Sequence, residues 1–265
     1  MRRNFLIIGF GVVGQAVHAG LSDHGGNNYI DIYDPDMGHD TPYRYDYDGV
    51  ILCLPTPQGP KGECDDMLVE QYHREIRKKM GNVPILLKST TSIELIDLLE
   101  DDLHLTYNPE FLTEEDSIEE FMNQKFAIFG GADCRYWYQM FISSGIKIDN
   151  VKFTSMKNAA YAKYAINSFL ATKVVFFNEL RNLYSPSWIS SSRTTGPHEG
   201  FDELTELIAM DKRIGQSHMM VPGADMKRGF GGMCLPKDTS AFATSGKGKL
   251  SLLEKVIEIN KVLRK

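Results

Sequence analysis

The stretch Asn4-Phe5-Leu6-Ile7-Ile8-Gly9-Phe10-Gly11-Val12-Val13-Gly14 decides the fold of this chain. Its first five residues form a continuous apolar run that is typical of a buried strand. After the glycines, Ala16, Val17 and Leu21 recur at the spacing of one face of a helix. The predicted order is therefore a strand, a glycine-rich turn and a helix.

A second predicted strand, residues 29–33, ends at Asp34, twenty residues after Gly14. In this context Gly9 permits the turn, Gly11 lets the backbone approach a pyrophosphate, and Gly14 lets the helix pack close to the strand. The Asp34 carboxylate can accept hydrogen bonds from the ribose hydroxyls of an adenosine, and an acid here favours NAD over NADP. The sequence predicts an NAD site, with a tight turn that binds no nucleotide as the alternative.

Strand-like and helical runs then alternate along the chain. This alternation predicts an α/β fold, in which an N-terminal Rossmann-like, doubly wound parallel sheet carries helices on both faces. We expect this domain to occupy residues 1–150 and a second domain to occupy residues 151–265. The further predicted strands are residues 49–54, 84–88, 104–107 and 125–129, and the predicted helices include residues 66–80, 93–99 and 137–142.

Three polar segments follow predicted strands. They are residues 54–57, residues 89–91 and residues 108–114. In an open parallel sheet, ligands bind outside the carboxyl ends of the strands, so these segments are candidates for the binding site. Turn and helix-cap chemistry is the alternative for each, because Pro, Ser, Thr and Asn are common at such places.

The second predicted domain is small and mainly helical. It begins with one long helix over residues 154–184, about 45 Å at 1.5 Å rise per residue. Because this helix is apolar on more than one side, we expect it to pack against both domains or a second subunit. Lys163 and Asn167 are four residues apart and share a helix face, although a solvent-exposed lysine is the alternative. A loop is predicted over residues 185–200, and shorter helices over residues 201–210 and 252–263.

The second domain also contains Gly229-Phe230-Gly231-Gly232-Met233-Cys234-Leu235-Pro236-Lys237-Asp238. Glycines leave almost no side-chain bulk, so the stretch predicts a loop that bends tightly or lies close to a ligand. A thiol, a cation and a carboxylate follow the glycines directly. From the residues alone, Cys234 is either a reactive thiol or a small buried apolar residue.

Composition limits the classes of partner. The chain has 265 residues, 42% of them hydrophobic, which is an ordinary soluble globular composition. Its net charge of -6 argues against nucleic acid or an anionic membrane as the main partner. The four cysteines are far apart, which predicts reduced thiols in a cytoplasm and neither a zinc site nor a disulfide framework. No apolar run suggests a signal peptide or a membrane span.

Taken together, these segments resemble the UDP-glucose/GDP-mannose dehydrogenase family. Six motifs occur in the family's order and extend over nearly the whole chain. The last two are the most specific. The motifs are Gly9-Phe10-Gly11-Val12-Val13-Gly14, Pro55-Thr56-Pro57, Lys88-Ser89-Thr90, Asn108-Pro109-Glu110-Phe111-Leu112, the helix segment 163–179 and the segment 229–238.

The resemblance implies a reaction. This family oxidises the C6 alcohol of a nucleotide sugar to a carboxylate with two NAD and keeps the aldehyde bound between the steps. By resemblance, Cys234 adds to that aldehyde as a thiohemiacetal, a second hydride transfer gives a thioester, and water releases the acid. An aldehyde has no good hydride to give until a nucleophile makes its carbon tetrahedral, and a thiolate does this well.

The resemblance also assigns the site residues. Lys163 and Asn167 face the C6 oxygen, Asp238 works with Lys163 in proton transfer, and Arg213 resembles an arginine that reaches the neighbouring subunit's sugar nucleotide. The implied catalytic set is Cys234, Lys163, Asn167, Asp238, Glu114, Thr90 and Glu110. The implied cofactor-binding set is Gly9, Gly11, Val12, Val13, Gly14, Asp34, Pro55, Thr56, Thr90 and Lys237. The implied substrate-binding set is Phe111, Leu112, Lys163, Asn167, Arg213, Phe230 and Gly231.

The sequence departs from the family in three places. The family's Ser-Thr-Val-Pro is Ser89-Thr90-Thr91-Ser92 here, and the arginine usual after the segment 108–112 is not evident around residues 124–126. The family continues with a second Rossmann-like domain that helps to bind UDP, and this sequence ends before it. We expect UDP-glucose as substrate and a homodimer through the long helix. GDP-mannose, a UDP-N-acetylhexosamine, or a non-catalytic subunit that binds NAD or a sugar nucleotide are the alternatives.

Overall fold

A computed structural model describes residues 2–22, 28–40, 44, 46–112, 116–184 and 199–265. Contacts between Cα atoms divide the chain into two compact units. The first unit comprises Met1–Gly59 and Cys64–Lys163, and the second comprises Pro60–Glu63 and Tyr164–Lys265. Among the described residues, no helix is long and apolar enough to cross a membrane.

The first unit is an α/β domain. Its strands are β1 (Asn4–Ile8), β2 (Tyr29–Asp34), β3 (His39–Asp40), β4 (Gly49–Leu52), β5 (Ile85–Leu87), β6 (Leu105–Tyr107), β7 (Asn123–Gln124), β8 (Ala127–Gly131), β9 (Lys147–Ile148) and β10 (Val151–Thr154). Its helices are α1 (Val12–Ser22), α2 (Met67–Met80), α3 (Ile93–Leu99), α4 (Ser117–Met122) and α5 (Cys134–Ser143).

Eight of these strands form one sheet in the order β10-β8-β6-β5-β4-β1-β2-β3. All neighbouring pairs are parallel except β6 with β8 and β2 with β3. β1 lies between β2 and β4, and Ile7 pairs with Ile32 on one side and Ile51 on the other. The predicted Rossmann-like, mostly parallel sheet is therefore confirmed.

The sheet is buried because its central strands are apolar on both faces, as parallel strands covered by helices must be. Phe5, Ile7 and Ile51 are fully buried and belong to a core cluster that includes Trp137. Gly49 of β4 makes room for this indole, since a Cβ built there would lie 2.6 Å from a ring carbon of Trp137. Burial of each large side chain of this kind contributes about 1.5–3 kcal/mol.

The long predicted helix is confirmed as α6 (Met156–Leu183), which begins in the first unit and ends in the second. Over residues 164–265 the described part of the chain contains no strand. The predicted small, mainly helical C-terminal portion is thus confirmed. The remaining helices are α7 (Glu199–Ala209), α8 (Cys234–Ser245) and α9 (Ser251–Leu263).

The prediction of a loop over residues 229–238 is wrong for its last five residues. Helix α8 begins at Cys234, so the thiol and Asp238 lie on its first turns. Pro236 does not prevent the helix, because the backbone N–H groups of a first turn have no partner within the helix in any case. Only the three glycines, Phe230 and Met233 of this stretch remain outside α8.

Candidate functional site

The glycine turn between β1 and α1 has the predicted geometry. Gly9 has a φ of +91°, and a Cβ built there would lie 2.5 Å from the Cys53 carbonyl oxygen. A Cβ at Gly14 would lie 2.2 Å from the Gly9 carbonyl oxygen, so the close contact between the turn and α1 requires glycine at position 14. Apart from Gly11 itself and its two chain neighbours, no described residue has an atom within 4 Å of a Cβ built at Gly11. The backbone at Gly11 is therefore the part of the turn that a ligand can approach.

Asp34, the last residue of β2, lies beside this turn. One carboxylate oxygen accepts a hydrogen bond from the Phe10 N–H at 2.6 Å, and the other accepts one from the Met37 N–H at 3.2 Å. Val12 is 40% exposed at the start of α1, and Val13 is half-buried. The predicted cofactor residues of the glycine motif and Asp34 are thus brought together at one end of β1 and β2.

These residues fit a dinucleotide. The first turn of α1 contains no acidic side chain, so the positive end of the helix is available to a phosphate. Gly11 offers open space beside the backbone there. Asp34 is only half-buried and can still accept hydrogen bonds from ribose hydroxyls.

The three polar segments follow β4, β5 and β6, which are adjacent in the sheet. After β4, Pro55 is exposed and Thr56 is buried. After β5, Thr90 is half-buried and its carbonyl accepts a hydrogen bond from the Cys64 thiol at 3.5 Å. Because parallel neighbours end at the same edge, the segments lie together as the spacing predicted.

A buried lysine and asparagine join the second and third of these segments. Lys88 Nζ donates to Asn108 Oδ1 at 2.8 Å, and Asn108 Nδ2 donates to the Ile128 carbonyl at 2.7 Å. Lys88 is 3% exposed, and burial lowers its pKa to about 8. Both residues lie in sequence motifs that assigned them no role. Their pairing across two strands, together with the Phe121 ring, whose centre lies 5.6 Å from the Lys88 ammonium, explains a lysine in the core.

The residues after Asn108 line a cavity of about 230 Å³ in the first unit. Glu110, Phe111 and Leu112 contribute to its wall together with Lys88. The Glu110 carboxylate accepts a hydrogen bond from the Leu112 N–H at 3.3 Å. The segment 108–112 therefore folds back on itself, with its acidic side chain at the cavity.

Lys163 is not the solvent-exposed lysine that was the alternative. It is 3% exposed, and its Nζ donates to the Glu110 carbonyl at 2.5 Å. The ammonium also lies 5.2 Å from the centre of the Phe111 ring, within the range of a cation–π contact. Tertiary structure thus brings Lys163 of α6 to the segment that follows β6.

The second unit holds another polar cluster around Asp238. Asp238 is fully buried, and its two carboxylate oxygens accept hydrogen bonds from Asn167 Nδ2 at 2.6 Å and Lys237 Nζ at 2.5 Å. Cys234 lies one turn earlier on α8 and is exposed. Residues four apart on a helix share a face, so the thiol and the carboxylate do so as well.

The structure places the remaining predicted residues in different environments. The Phe230 ring is 4% exposed and packs against Val175 and Val256, so any contact of this residue with a substrate would use its backbone. Gly231 is half-buried. Arg213 is exposed and pairs with Asp211, with 2.5 Å between the closest nitrogen and oxygen.

Glu114, predicted as a catalytic residue, lies outside the described residues. Within the described part of the chain, no cluster of three or more His, Cys, Asp or Glu side chains could hold a metal ion.

Comparison with known proteins gives matches to two models of one family. Residues 41–140 match the NAD binding domain of the UDP-glucose/GDP-mannose dehydrogenase family. Residues 157–262 match the central domain of the same family. Together these stretches cover more than three quarters of the chain.

Individual relatives agree with the family models. The UDP-glucose 6-dehydrogenase TuaD of Bacillus subtilis is 28% identical over 237 residues, which are 82% of this chain and 47% of TuaD. The chain thus spans about half the length of this relative.

Solved structures share the fold. A UDP-glucose dehydrogenase from Pyrobaculum islandicum aligns with a TM-score of 0.77 at 22% identity, over 99% of this chain and 68% of that one. A UDP-D-ManNAc dehydrogenase from Pyrococcus horikoshii aligns with a TM-score of 0.72 at 16% identity, over 98% and 68% of the two chains.

Proposed function

The chain belongs to the UDP-glucose/GDP-mannose dehydrogenase family, and from this premise we propose that it oxidises the C6 alcohol of a nucleotide sugar to the carboxylate with NAD. The family and its NAD cofactor, both predicted from the sequence, are confirmed by the two domain matches. The substrate that we propose is UDP-glucose, and the product is UDP-glucuronate.

One observation carries this proposal. Cys234 is an exposed thiol at the start of α8, one helical turn before a fully buried carboxylate, Asp238. A buried carboxylate needs hydrogen-bond donors, and Asn167 and Lys237 supply them. The chain therefore keeps an accessible nucleophile next to a fixed proton-accepting group, which is the pair that aldehyde oxidation through a thioester requires.

The proposed reaction balances as two oxidations followed by a hydrolysis. The first converts the C6 alcohol to an aldehyde with loss of a hydride and a proton. The Cys234 thiolate then bonds to the aldehyde carbon while the aldehyde oxygen takes up a proton, and the resulting thiohemiacetal loses a second hydride and a proton to give a thioester. Water cleaves the carbon–sulfur bond, which returns the thiol and releases the carboxylate. NAD, when bound, supplies the hydride acceptor for both oxidations.

The polar groups of the chain have separate roles in this scheme. Lys163 and Asn167 stabilise negative charge on the C6 oxygen, one as a cation and the other as an amide donor. Asp238 accepts the proton that the reaction releases. Thr90 orients the hydrolytic water, and Glu110 acts as a second acid close to it. Glu114 is proposed as the base for hydrolysis.

The cofactor and substrate residues follow the same reasoning. The glycine turn and Asp34 bind the pyrophosphate and ribose of NAD, and Pro55, Thr56 and Lys237 complete its site. Phe111, Leu112 and the backbone at Phe230 and Gly231 contact the sugar nucleotide. Arg213, which is exposed, is proposed to reach the sugar nucleotide of a second subunit.

The names of the relatives guide the choice of substrate. The TuaD and Pyrobaculum proteins are named for UDP-glucose, whereas the Pyrococcus protein is named for UDP-D-ManNAc. We therefore place UDP-glucose first and keep GDP-mannose and a UDP-N-acetylhexosamine as alternatives. The ratio of kcat/KM among these sugars decides between them.

NADH formation tests the proposed function. Purified protein is mixed with NAD and each nucleotide sugar, and NADH is followed by absorbance. We expect turnover with UDP-glucose that is lost in Cys234→Ser and retained in Cys134→Ser, which removes a buried thiol instead. Absence of NADH above the Cys234→Ser level with every sugar would sink the proposal.

A non-catalytic role is the second candidate, because the chain spans about half the length of its relatives. As a regulatory or assembly subunit, the protein would bind NAD or a sugar nucleotide without turnover. NAD would then raise the melting temperature while no sugar produced NADH. The same two measurements thus separate the candidates.

We also propose a homodimer through α6 in the cytoplasm. Phe169, Phe176 and Leu183 are spaced by seven residues and are 70%, 58% and 79% exposed. This spacing puts them on one face of the helix, where a second copy would cover them. None of the four cysteines forms a disulfide, which supports the cytoplasmic location, since reduced cysteines are typical there.

A further inference from the structure

The backbone that leads to Cys234 is held by two buried asparagines, neither of which has a role in the proposed reaction. We call residues Gly229–Gly232 the glycine loop. Asn178 of α6 and Asn260 of α9 are 1% and 8% exposed, and each uses its side-chain oxygen to accept a backbone N–H of this loop.

Asn260 makes the more complete contact. Its Oδ1 accepts the Phe230 N–H at 2.7 Å, and its Nδ2 donates to the Phe230 carbonyl at 3.0 Å. One amide side chain therefore satisfies both backbone groups of one residue, as a neighbouring strand would. A Cβ at Gly229 would lie 2.3 Å from Asn260 Oδ1, so the close approach depends on glycine at that position.

Asn178 holds the residues just before this contact. Its Oδ1 accepts the Gly229 N–H at 3.1 Å and Arg228 Nε at 3.2 Å. Its own carbonyl accepts Arg228 Nη2 at 2.6 Å. The Asn178 amide nitrogen donates to the Val174 carbonyl one turn earlier, which fixes the orientation of the side chain.

Packing adds to these hydrogen bonds. The Phe230 ring lies in a small core with Ala171, Val175 and Val256, which belong to the same two helices as the asparagines. The loop is thus fixed up to Phe230, while Gly232, Met233 and Cys234 are exposed. The position of the thiol therefore depends on Phe230, the last fixed residue on its N-terminal side, and on α8, which begins at Cys234.

We infer that Asn178 and Asn260 are positioning residues that clamp the glycine loop and so hold Cys234 in place for its reaction with the sugar aldehyde. The inference rests on the proposed function for its last step only. Neither asparagine touches the reacting atoms in this account. Both act through the backbone of Gly229 and Phe230.

The test uses Asn260→Ala and Asn178→Ala, with Leu253→Ala as the matched control. Leu253 lies on α9 and is 7% exposed, so its truncation destabilises the same helix without removing a contact to the loop. Melting temperatures of all variants are measured first. The variants are then compared at equal distance below their melting temperatures.

Amide hydrogen exchange at Gly229 and Phe230 tests whether the asparagines hold these backbone groups. We expect the amide exchange of Phe230 to rise about tenfold or more in Asn260→Ala, and that of Gly229 similarly in Asn178→Ala, with little change at either in Leu253→Ala. Unchanged exchange at these amides in the asparagine variants would overturn the clamp.

Alkylation of Cys234 by iodoacetamide reports the position of the thiol without any substrate. The other three cysteines are buried, so the tryptic peptide 229–237 gives an unambiguous mass readout. We expect the alkylation rate to fall about threefold or more in the asparagine variants, because the thiol loses its fixed place at the positive end of α8. An equal fall in Leu253→Ala would overturn the inference.

Steady-state kinetics tests whether the clamp holds Cys234 in place for its reaction with the sugar aldehyde. With an active wild type, Asn260→Ala should lower kcat about tenfold or more and leave KM for NAD unchanged, because only the thiol is displaced. Retention of kcat in Asn260→Ala would refute the positioning role while the proposed function stood. Should the wild type turn over no sugar, the proposed function fails, and exchange and alkylation still decide whether the clamp exists.

Discussion

At the scale of single residues, the glycines of the cofactor turn differ in what the fold requires of them. Gly14 has no room for a side chain, since a Cβ would lie 2.2 Å from the Gly9 carbonyl oxygen. Gly11 has open space on that side. The first is a requirement of folding, and the second leaves room for a ligand to come close to the backbone.

This contrast predicts opposite effects of one methyl group. Gly11→Ala should leave the free energy of unfolding within about 0.5 kcal/mol of wild type but weaken NAD binding about tenfold or more. Gly14→Ala should instead lower the free energy of unfolding by about 1–3 kcal/mol, because backbone atoms must move. Calorimetry of NAD binding and urea unfolding measure the two effects. Undiminished NAD affinity in Gly11→Ala would contradict the assigned role.

The lowered pKa of buried Lys88 predicts that the stability of the folded protein depends on pH. Burial lowers its pKa from 10.5 to about 8. Between these values the unfolded chain binds a proton at this lysine and the folded chain does not, so the folded state gains stability as the pH rises through that window. Below pH 8 the lysine is charged in both states and the cost of burying the charge is fully present.

The comparison of wild type with Lys88→Met tests this effect. The Cys53 thiol, whose pKa the Lys88 charge lowers, titrates at about 12 and so outside the window. From pH 8 to pH 10.5 the wild type should gain on the order of 3 kcal/mol in free energy of unfolding relative to the variant. Urea unfolding at a series of pH values measures it. A difference between the two proteins that stays constant with pH would show that Lys88 titrates normally.

At the scale of elements, α6 serves more than one purpose. Its buried positions include Lys163, Asn167 and Asn178, while Phe169 and Phe176 are exposed at heptad spacing. Because α6 has both buried polar groups and an exposed apolar stripe, its polar and apolar residues are not separated onto opposite faces. The pattern of its sequence therefore indicates how long the helix is but not which side chains bind a partner.

If the exposed apolar stripe of α6, which includes Phe169 and Phe176, forms the homodimer interface, charged side chains there should prevent dimerisation. Wild type should have twice the mass of the chain by light scattering, and the double variant Phe169→Glu/Phe176→Glu should be monomeric, because two carboxylates would be buried without partners. Leu98→Glu/Leu103→Glu is the control, since these residues of the first unit are 65% and 72% exposed. A monomeric wild type at micromolar concentration would rule out the dimer.

At the scale of the whole molecule, the two units have separate buried cores. One surrounds the sheet of the first unit, and the second unit has a smaller core around Val175 and Phe230 and another around Phe177 and Phe201. The glycine turn and Asp34 both lie in the first unit. A ligand that binds these residues should therefore stabilise the first unit directly.

Hydrogen exchange with and without NAD tests this distribution. NAD at about 100 times its Kd should raise the free energy of opening of core amides in the first unit, such as that of Ile51, by about 2.7 kcal/mol. The amide of Val175 in the second unit should gain less. Equal gains at both would mean that the chain opens only as a single cooperative unit.

The sequence by itself determined the order of most of the longer strands and helices in the first unit and the extent of α6, but not the short strands β3, β7 and β9 or the edge strand β10. Apolar runs, glycines and helical spacing are local signals, and local backbone preferences fix strands, turns and helices wherever packing agrees with them. The same reasoning missed the helical start at Cys234, because glycines and a proline outweighed a short helix that packing stabilises. It also missed α4, which has only six residues.

The tertiary structure alone decided which polar groups meet. Asn167 binds Asp238 across 71 positions of sequence, Lys88 binds Asn108 across 20, and Asn260 binds Phe230 across 30. No local pattern encodes these pairings. A buried polar group must find a partner wherever the packed chain brings one, because leaving it unpaired away from water costs more than the hydrogen bond contributes.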